Sequence, residues 1–138
     1  MIRSVEEFVS LRTSSNPDDY RRAAGEEAPV GVWNELIKEC PDMRFWVAHN
    51  KTVPLEILRV LATDADPRVR TMVASKRKLD EATFGLLASD PNEGVRMAVA
   101  RNRRVPLSVL RSMRGDPWSE VARVVDERLS DTGSSSPA

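Results

Sequence analysis

The side chains best suited to catalysis are scarce in this sequence. It holds one histidine, His49, and one cysteine, Cys40. One of each cannot assemble a multi-histidine site or a thiolate cluster within the chain, and a lone cysteine fits a reducing compartment. His49 falls at the end of a helical stretch, where a protonated imidazole complements the helix dipole, so it reads as a surface group and not as a general base. Cys40 stands before Pro41 at another helix end and reads as a small buried apolar group and not as a nucleophile. There is no GxSxG, no P-loop, no GxGxxG and no HExxH. The expectation is a protein without catalytic residues, metal or cofactor.

Arginine and aspartate, by contrast, recur at fixed spacing. Arg44, Arg70 and Arg96 are 26 residues apart, and so are Asp64, Asp90 and Asp116. The whole sequence follows that period. Residues 54–79, 80–105 and 106–131 align without gaps, placing Leu58, Phe84 and Leu110 in one column and Val69, Val95 and Val121 in another. A divergent fourth unit, 28–53, keeps Met43, Arg44, Trp46, Val47, Asn50 and Val53 in register.

Each unit carries two apolar stretches of helical period. In 54–79, Pro54 suits a first turn, and Leu55, Leu58, Leu61 and Ala62 repeat at three-to-four spacing. Asp66 is an N-cap candidate before Pro67, which opens a second helix with Val69, Met72 and Val73 as its stripe. Asp90-Pro91-Asn92-Glu93 has capping-box spacing, as does Ser4-Val5-Glu6-Glu7. Asn50 and Asn102 end the second helices, where a left-handed cap is expected. Neither helix is long enough to stand alone, so their stripes must be buried against neighbouring units. The fold class expected is all-α, a right-handed αα-superhelix of four 26-residue helix pairs. Residues 1–27 form an N-terminal helical cap, with a helix opening at Asn16-Pro17 and ending at Gly25. Residues 132–138 (TGSSSPA) form a disordered tail.

The ends of the repeat decide how the charges pair. Lys38 stands in the aspartate column of the first unit, and Ala122 stands in the arginine column of the last. Pairing each arginine with the aspartate of the following unit gives Arg44–Asp64, Arg70–Asp90 and Arg96–Asp116, using all six. Pairing within a unit would strand Arg44 and Asp116, and an unpaired, partly buried charge is costly. These six residues are expected to be structural, so that Arg70→Ala should lower the melting temperature and spare ligand binding.

The formal net charge is zero, but it is a cancellation. Residues 1–53 carry 7 basic and 9 acidic groups, 54–115 carry 12 and 7, and 116–138 carry 2 and 5. The surplus gathers in loops between units as a basic edge: Lys51, Lys76, Arg77, Lys78, Arg101, Arg103 and Arg104. Such an edge can steer an acidic protein or a phosphate backbone. Of the tryptophans, Trp46 shares a column with Met72, Ala98 and Val124 and is expected in the core. Trp33, on a stripe with Leu36 and Ile37, is expected there too. Trp118 is expected to be exposed, capping the stack or anchoring a partner.

The motif Asp, four residues, Val-Arg, as in Asp64…Val69-Arg70 and Asp90…Val95-Arg96, resembles the HEAT-like repeats. Pro-Leu-Glu-Ile-Leu and Asp-Pro-Arg-Val-Arg also resemble the leucine-rich variant repeats. Asp80 departs from the pattern where the neighbouring units have proline. The resemblance implies a HEAT-like solenoid whose second helices line a concave face. Phe45, Thr71, Met97 and Arg123 would then face solvent, beside Ala48, Ala74, Ala100 and Asp126. Phe45, His49, Thr71, Met97, Arg101, Trp118 and Arg123 are the partner-binding candidates; exposed Phe and Met suit protein recognition. Small solenoids of this kind resemble bacterial immunity or antitoxin proteins, so the expected role is protein binding, most specifically of a toxin. The alternative is nucleic-acid binding of the kind shown by the HEAT-like alkylpurine DNA glycosylases, none of whose catalytic residues can be carried over to this chain. No run of about 18 apolar residues and no signal peptide is found, so a cytoplasmic protein without a membrane contact is expected.

Overall fold

The computed structural model describes residues 1–134, with side chains to Asp131. Among these the regular structure is entirely helical, and they form two compact units, one of Met1–Ala65 and one that begins at Asp66.

The first unit holds α1 (Val5–Thr13), α2 (Pro17–Gly25), α3 (Val30–Glu39), a 3-10 turn (Pro41–Met43), α4 (Arg44–His49) and α5 (Leu55–Leu61). The starts of α1 and α2 are written in their caps. The Ser4 hydroxyl accepts from the Glu7 amide at 3.1 Å, and the Glu7 carboxylate accepts from the Arg3 amide at 3.0 Å. Asn16 accepts from the Asp18 amide, with Pro17 in the first turn where its missing N–H costs nothing. Helix α1 packs on α2 and α3, and α5 packs on α3 and α4. Ile2, Phe8, Leu11, Trp33, Leu36, Val47, Ile57, Leu58 and Leu61 form the core, with Phe8 edge-on to Trp33 at 5.6 Å.

The second unit holds α6 (Pro67–Ala74), α7 (Glu81–Ala88), α8 (Glu93–Arg101), α9 (Leu107–Ser112) and α10 (Ser119–Ser134). It is two layers deep. Helices α6, α8 and α10 pack side by side in one layer, while α7 and α9 pack together in the other. Val69, Val73, Val95, Val99, Val121 and Val125 meet Phe84, Leu87, Val109, Leu110 and Met113 in between. At about 1.5–3 kcal/mol for each large apolar side chain, this burial outweighs the poor intrinsic stability of helices so short. Gly115, at φ 75°, makes the turn that returns the chain to α10, a conformation that other residues adopt at a cost.

Several sequence expectations change here. The buried stripe of α6 is Val69, Val73 and Ala74, not Val69, Met72 and Val73; Met72 is half-exposed. The same offset makes Ala48, Ala74 and Ala100 fully buried, where they had been expected to face solvent beside Asp126, which is exposed. A methyl group lets the neighbouring backbone approach closely, so alanine goes inward while its larger neighbour stays at the margin. Trp46, in the Met72 column, is accordingly half-buried and not in the core. Pro54 is the residue before α5 and not its first turn. Asn92, rather than Asp90, caps α8, accepting from the Gly94 and Val95 amides. Finally, α10 runs on through Ser134, so residues 132–134 of the expected tail are helical; residues 135–138 lie outside the described residues.

Candidate partner-binding surface

The three arginine–aspartate pairs are made, and their geometry shows what each aspartate does. Arg70 Nε and Nη2 donate to the two Asp90 oxygens at 2.7 and 3.1 Å. Arg96 does the same to Asp116 at 2.9 and 3.2 Å. These are forked, charge-assisted bonds with little water access, the strong kind. In both, the aspartate Oδ1 also accepts a backbone amide two residues on, Asn92 or Trp118, at 2.9 Å. One carboxylate thus closes the turn into a helix and locks that turn to the helix before it. Arg44 meets Asp64 only through Nη1, at 3.3 Å, its Nε being spent on the Ile37 carbonyl.

A second ladder was not foreseen. Asn50 and Asn102 are not left-handed caps: their φ values are −59° and −67°, and both are buried. The Asn50 amide donates to the carbonyls of Ala23 and Glu26 at 2.7 and 3.0 Å. That of Asn102 donates to Ala74 and Lys76, both at 2.8 Å. Arg128, 26 residues beyond Asn102, donates to Ala100 and Asn102 at 2.6 and 2.8 Å. The acceptors are carbonyls in the last turns of α2, α6 and α8 and just past their ends, where a helix supplies no partner of its own. Continuing the Asn50/Asn102 column by one period would have found Arg128.

With these groups committed to holding helices together, the outward residues remain. In the first unit, Phe45, Trp46 and His49 form a half-buried aromatic face on α4. Phe45 is edge-on to Trp46 at 4.9 Å and stacked on His49 at 6.4 Å, and Trp46 is edge-on to His49 at 5.6 Å. The Arg12 guanidinium lies 3.4 Å over the Trp46 ring and 4.9 Å from that of Tyr20. Burial lowers its pKa from the ordinary value, opposed by Tyr20. Arg12, Tyr20 and Trp46 were missed because no spacing in the sequence links α1 and α2 to α4.

In the second unit, the expected contacts Thr71 and Met97 are half-exposed, while Arg101, Trp118 and Arg123 are exposed. Not all are available: Thr71 donates its hydroxyl to the Pro67 carbonyl, and Arg123 is held between Glu120 and Glu127 at 3.2 and 2.9 Å. Trp118 is 39% exposed, its amide fixed by Asp116. Phe45 and Met97, expected to be exposed, are half-buried, Phe45 against the Trp46 and His49 rings.

The basic edge divides in the same way. Lys51, Arg77, Lys78, Arg103 and Arg104 are exposed, but Lys76 is half-buried, and burial pulls its pKa down to about 8. Lys76 occupies the column of the buried Asn50 and Asn102, so its stem is drawn inward. Arg77, Arg101 and Arg103 wall an open cleft of 310 Å³ whose lining is completed by Ser75, Ala98 and Asn102. Among the described residues none of these three arginines makes an ion pair. No group of three or more His, Cys, Asp or Glu residues that could hold a metal occurs among the described residues, and no helix there is long and apolar enough to cross a membrane.

No protein-family model matches this chain, and neither the curated proteins nor the solved structures provide a match.

Proposed function

We propose that the chain is a non-enzymatic protein-binding module of HEAT-like helix pairs stacked in the right-handed sense. In its most specific form it is an immunity or antitoxin protein that covers a toxin. One observation carries the reading. The ionisable and polar groups with demanding geometry, the three arginine–aspartate pairs and the Asn50/Asn102/Arg128 donors, are spent on joining helices. The residues left facing outward are of the binding kind: the half-buried aromatic face of α4, Trp118, and Arg77, Arg101 and Arg103, which make no ion pair among the described residues. Aromatic residues and arginine are the types that concentrate binding energy in protein interfaces.

The test begins with affinity purification of the tagged chain from its native host, with mass spectrometry of what it retains. It is completed by calorimetry with the recovered product, purified separately. A saturable one-to-one association that weakens after Trp118→Ala or Phe45→Ala supports the reading. Failure of every recovered product to bind once purified refutes it. For the toxin form, the product of an adjacent gene should be among those recovered and should lose its toxicity when bound.

A further inference from the structure

We infer that the cleft between Arg77, Arg101 and Arg103 receives a short run of carboxylates, successive Asp or Glu side chains on the partner; this rests on the protein-binding reading above. The cleft lies on the second unit, and the polar side chains that line it beside the arginines are held in place. Asn102 is held by its two bonds to the carbonyls of Ala74 and Lys76, and its own carbonyl oxygen Oδ1 accepts from the Arg104 amide at 2.8 Å. Ser75 turns its hydroxyl back to the Met72 carbonyl at 2.6 Å. The Ser75 hydroxyl and the Asn102 amide of the lining are thus committed to the backbone, and the three guanidinium forks supply the recognition. A planar fork takes a carboxylate or a phosphate through two parallel hydrogen bonds, and three forks around one opening suit two or three anionic groups.

What surrounds the cleft favours carboxylates on a protein over a nucleic-acid backbone. Arg128 fastens α10 to the Asn102 carbonyl, and that helix carries Glu120, Asp126, Glu127 and Asp131 against Arg123 and Arg128, an acidic surplus. A long polyanion leaving the cleft on that side would run along a negatively charged helix, whereas a short acidic segment ends before it. The lining has no aromatic ring on which a base could stack, the usual source of affinity for single strands.

The test uses the full chain and fluorescence anisotropy with a labelled hexaglutamate peptide, against hexaglutamine, inorganic phosphate and a labelled duplex DNA. The peptide should bind saturably, hexaglutamine should not, and phosphate should displace it poorly. The triple change Arg77→Gln, Arg101→Gln, Arg103→Gln should weaken binding by about tenfold or more, from three exposed ion pairs lost together. Its melting temperature should stay at the wild-type value, because none of the three holds the fold. Should the triple variant melt early, the single reversal Arg103→Glu is read instead, and should lower affinity without lowering stability. Undiminished binding by either folded variant overturns the inference. So does duplex DNA binding more tightly than the peptide, or phosphate competing as well as the peptide does. The two readings fail separately. If the triple variant retains the native partner in full, the cleft assignment falls and the protein-binding module stands. If no native product binds but hexaglutamate does so through these arginines, the module reading falls and the cleft remains.

Discussion

Arg96 and Asp116 offer the sharpest test of what holds the second unit together. Their side chains are only 13% and 5% exposed, and the guanidinium spends two bonds on Asp116 and a third, from Nη1 at 2.8 Å, on the Asp90 carbonyl. Changing Arg96→Met keeps the apolar stem but leaves the Asp116 carboxylate buried beside no cation. Removing one partner of a buried pair costs about 3 kcal/mol. For a chain of this size that is a fall of about 10 °C in melting temperature. Asp116→Leu should cost as much, because it strands Arg96 and also frees the Trp118 amide. The two together, Arg96→Met/Asp116→Leu, leave neither charge of this pair behind. Their combined loss should stay near about 3 kcal/mol, a coupling of about 3 kcal/mol in the cycle. Thermal and urea unfolding of the four proteins by circular dichroism measures it. Strict additivity, or an Arg96→Met protein that melts like the wild type, would refute the view that these charges persist because each neutralises the other.

Arg44→Met should cost no more than about 1 kcal/mol, since Arg44 reaches Asp64 through one nitrogen at 3.3 Å and is 30% exposed; a loss equal to that of Arg96→Met would contradict the ranking. Asn102→Ala should cost about 2 kcal/mol by leaving the Ala74 and Lys76 carbonyls without their donor, and Asn102→Asp, of the same shape but facing those carbonyls with a carboxylate, should cost more. Hydrogen exchange at the end of α6 should rise in both. For Lys76, burial holds the folded-state pKa at about 8 against an ordinary 10.5. Below about 8 the amine is charged whether folded or not, and the burial penalty is constant. Between these values the unfolded chain binds the proton that the folded chain releases, so stability rises with pH through that window. Lys76→Met should flatten the rise in a pH series of urea midpoints, and an unchanged slope would sink the assignment.

The helix pairs and the arginine–aspartate pairing were legible because both are periodic, and because the pairing is abandoned where a neighbour is missing, at Lys38 and Ala122. The inward face was misjudged by one position. Up to residue 100, columns 46, 47 and 48 and their repeats are all apolar or small, Asp126 being the one charged member further on, and hydropathy alone does not say that alanine goes inward while tryptophan stays at the margin. That choice is made by how close the next helix comes. Asn50 and Asn102 were recognised as helix ends but misassigned in conformation. Their acceptors lie a repeat upstream, so nothing local marks the amide as a long-range donor. The cleft was legible only as a basic edge; that Lys76 is drawn inward and that three arginines line one cleft follows from side-chain positions.

The donors in the Asn50 column also bear on the order in which the chain can become complete. Helices α2, α6 and α8 are finished by groups that lie 24 to 28 residues further along. During synthesis each of these helices leaves the ribosome with open carbonyls, and it is closed only when the next repeat follows. These three helices therefore reach their final bonding only once the repeat that follows is in place. A chain that stops before Arg128 keeps every residue of α8 and still lacks the group that closes it.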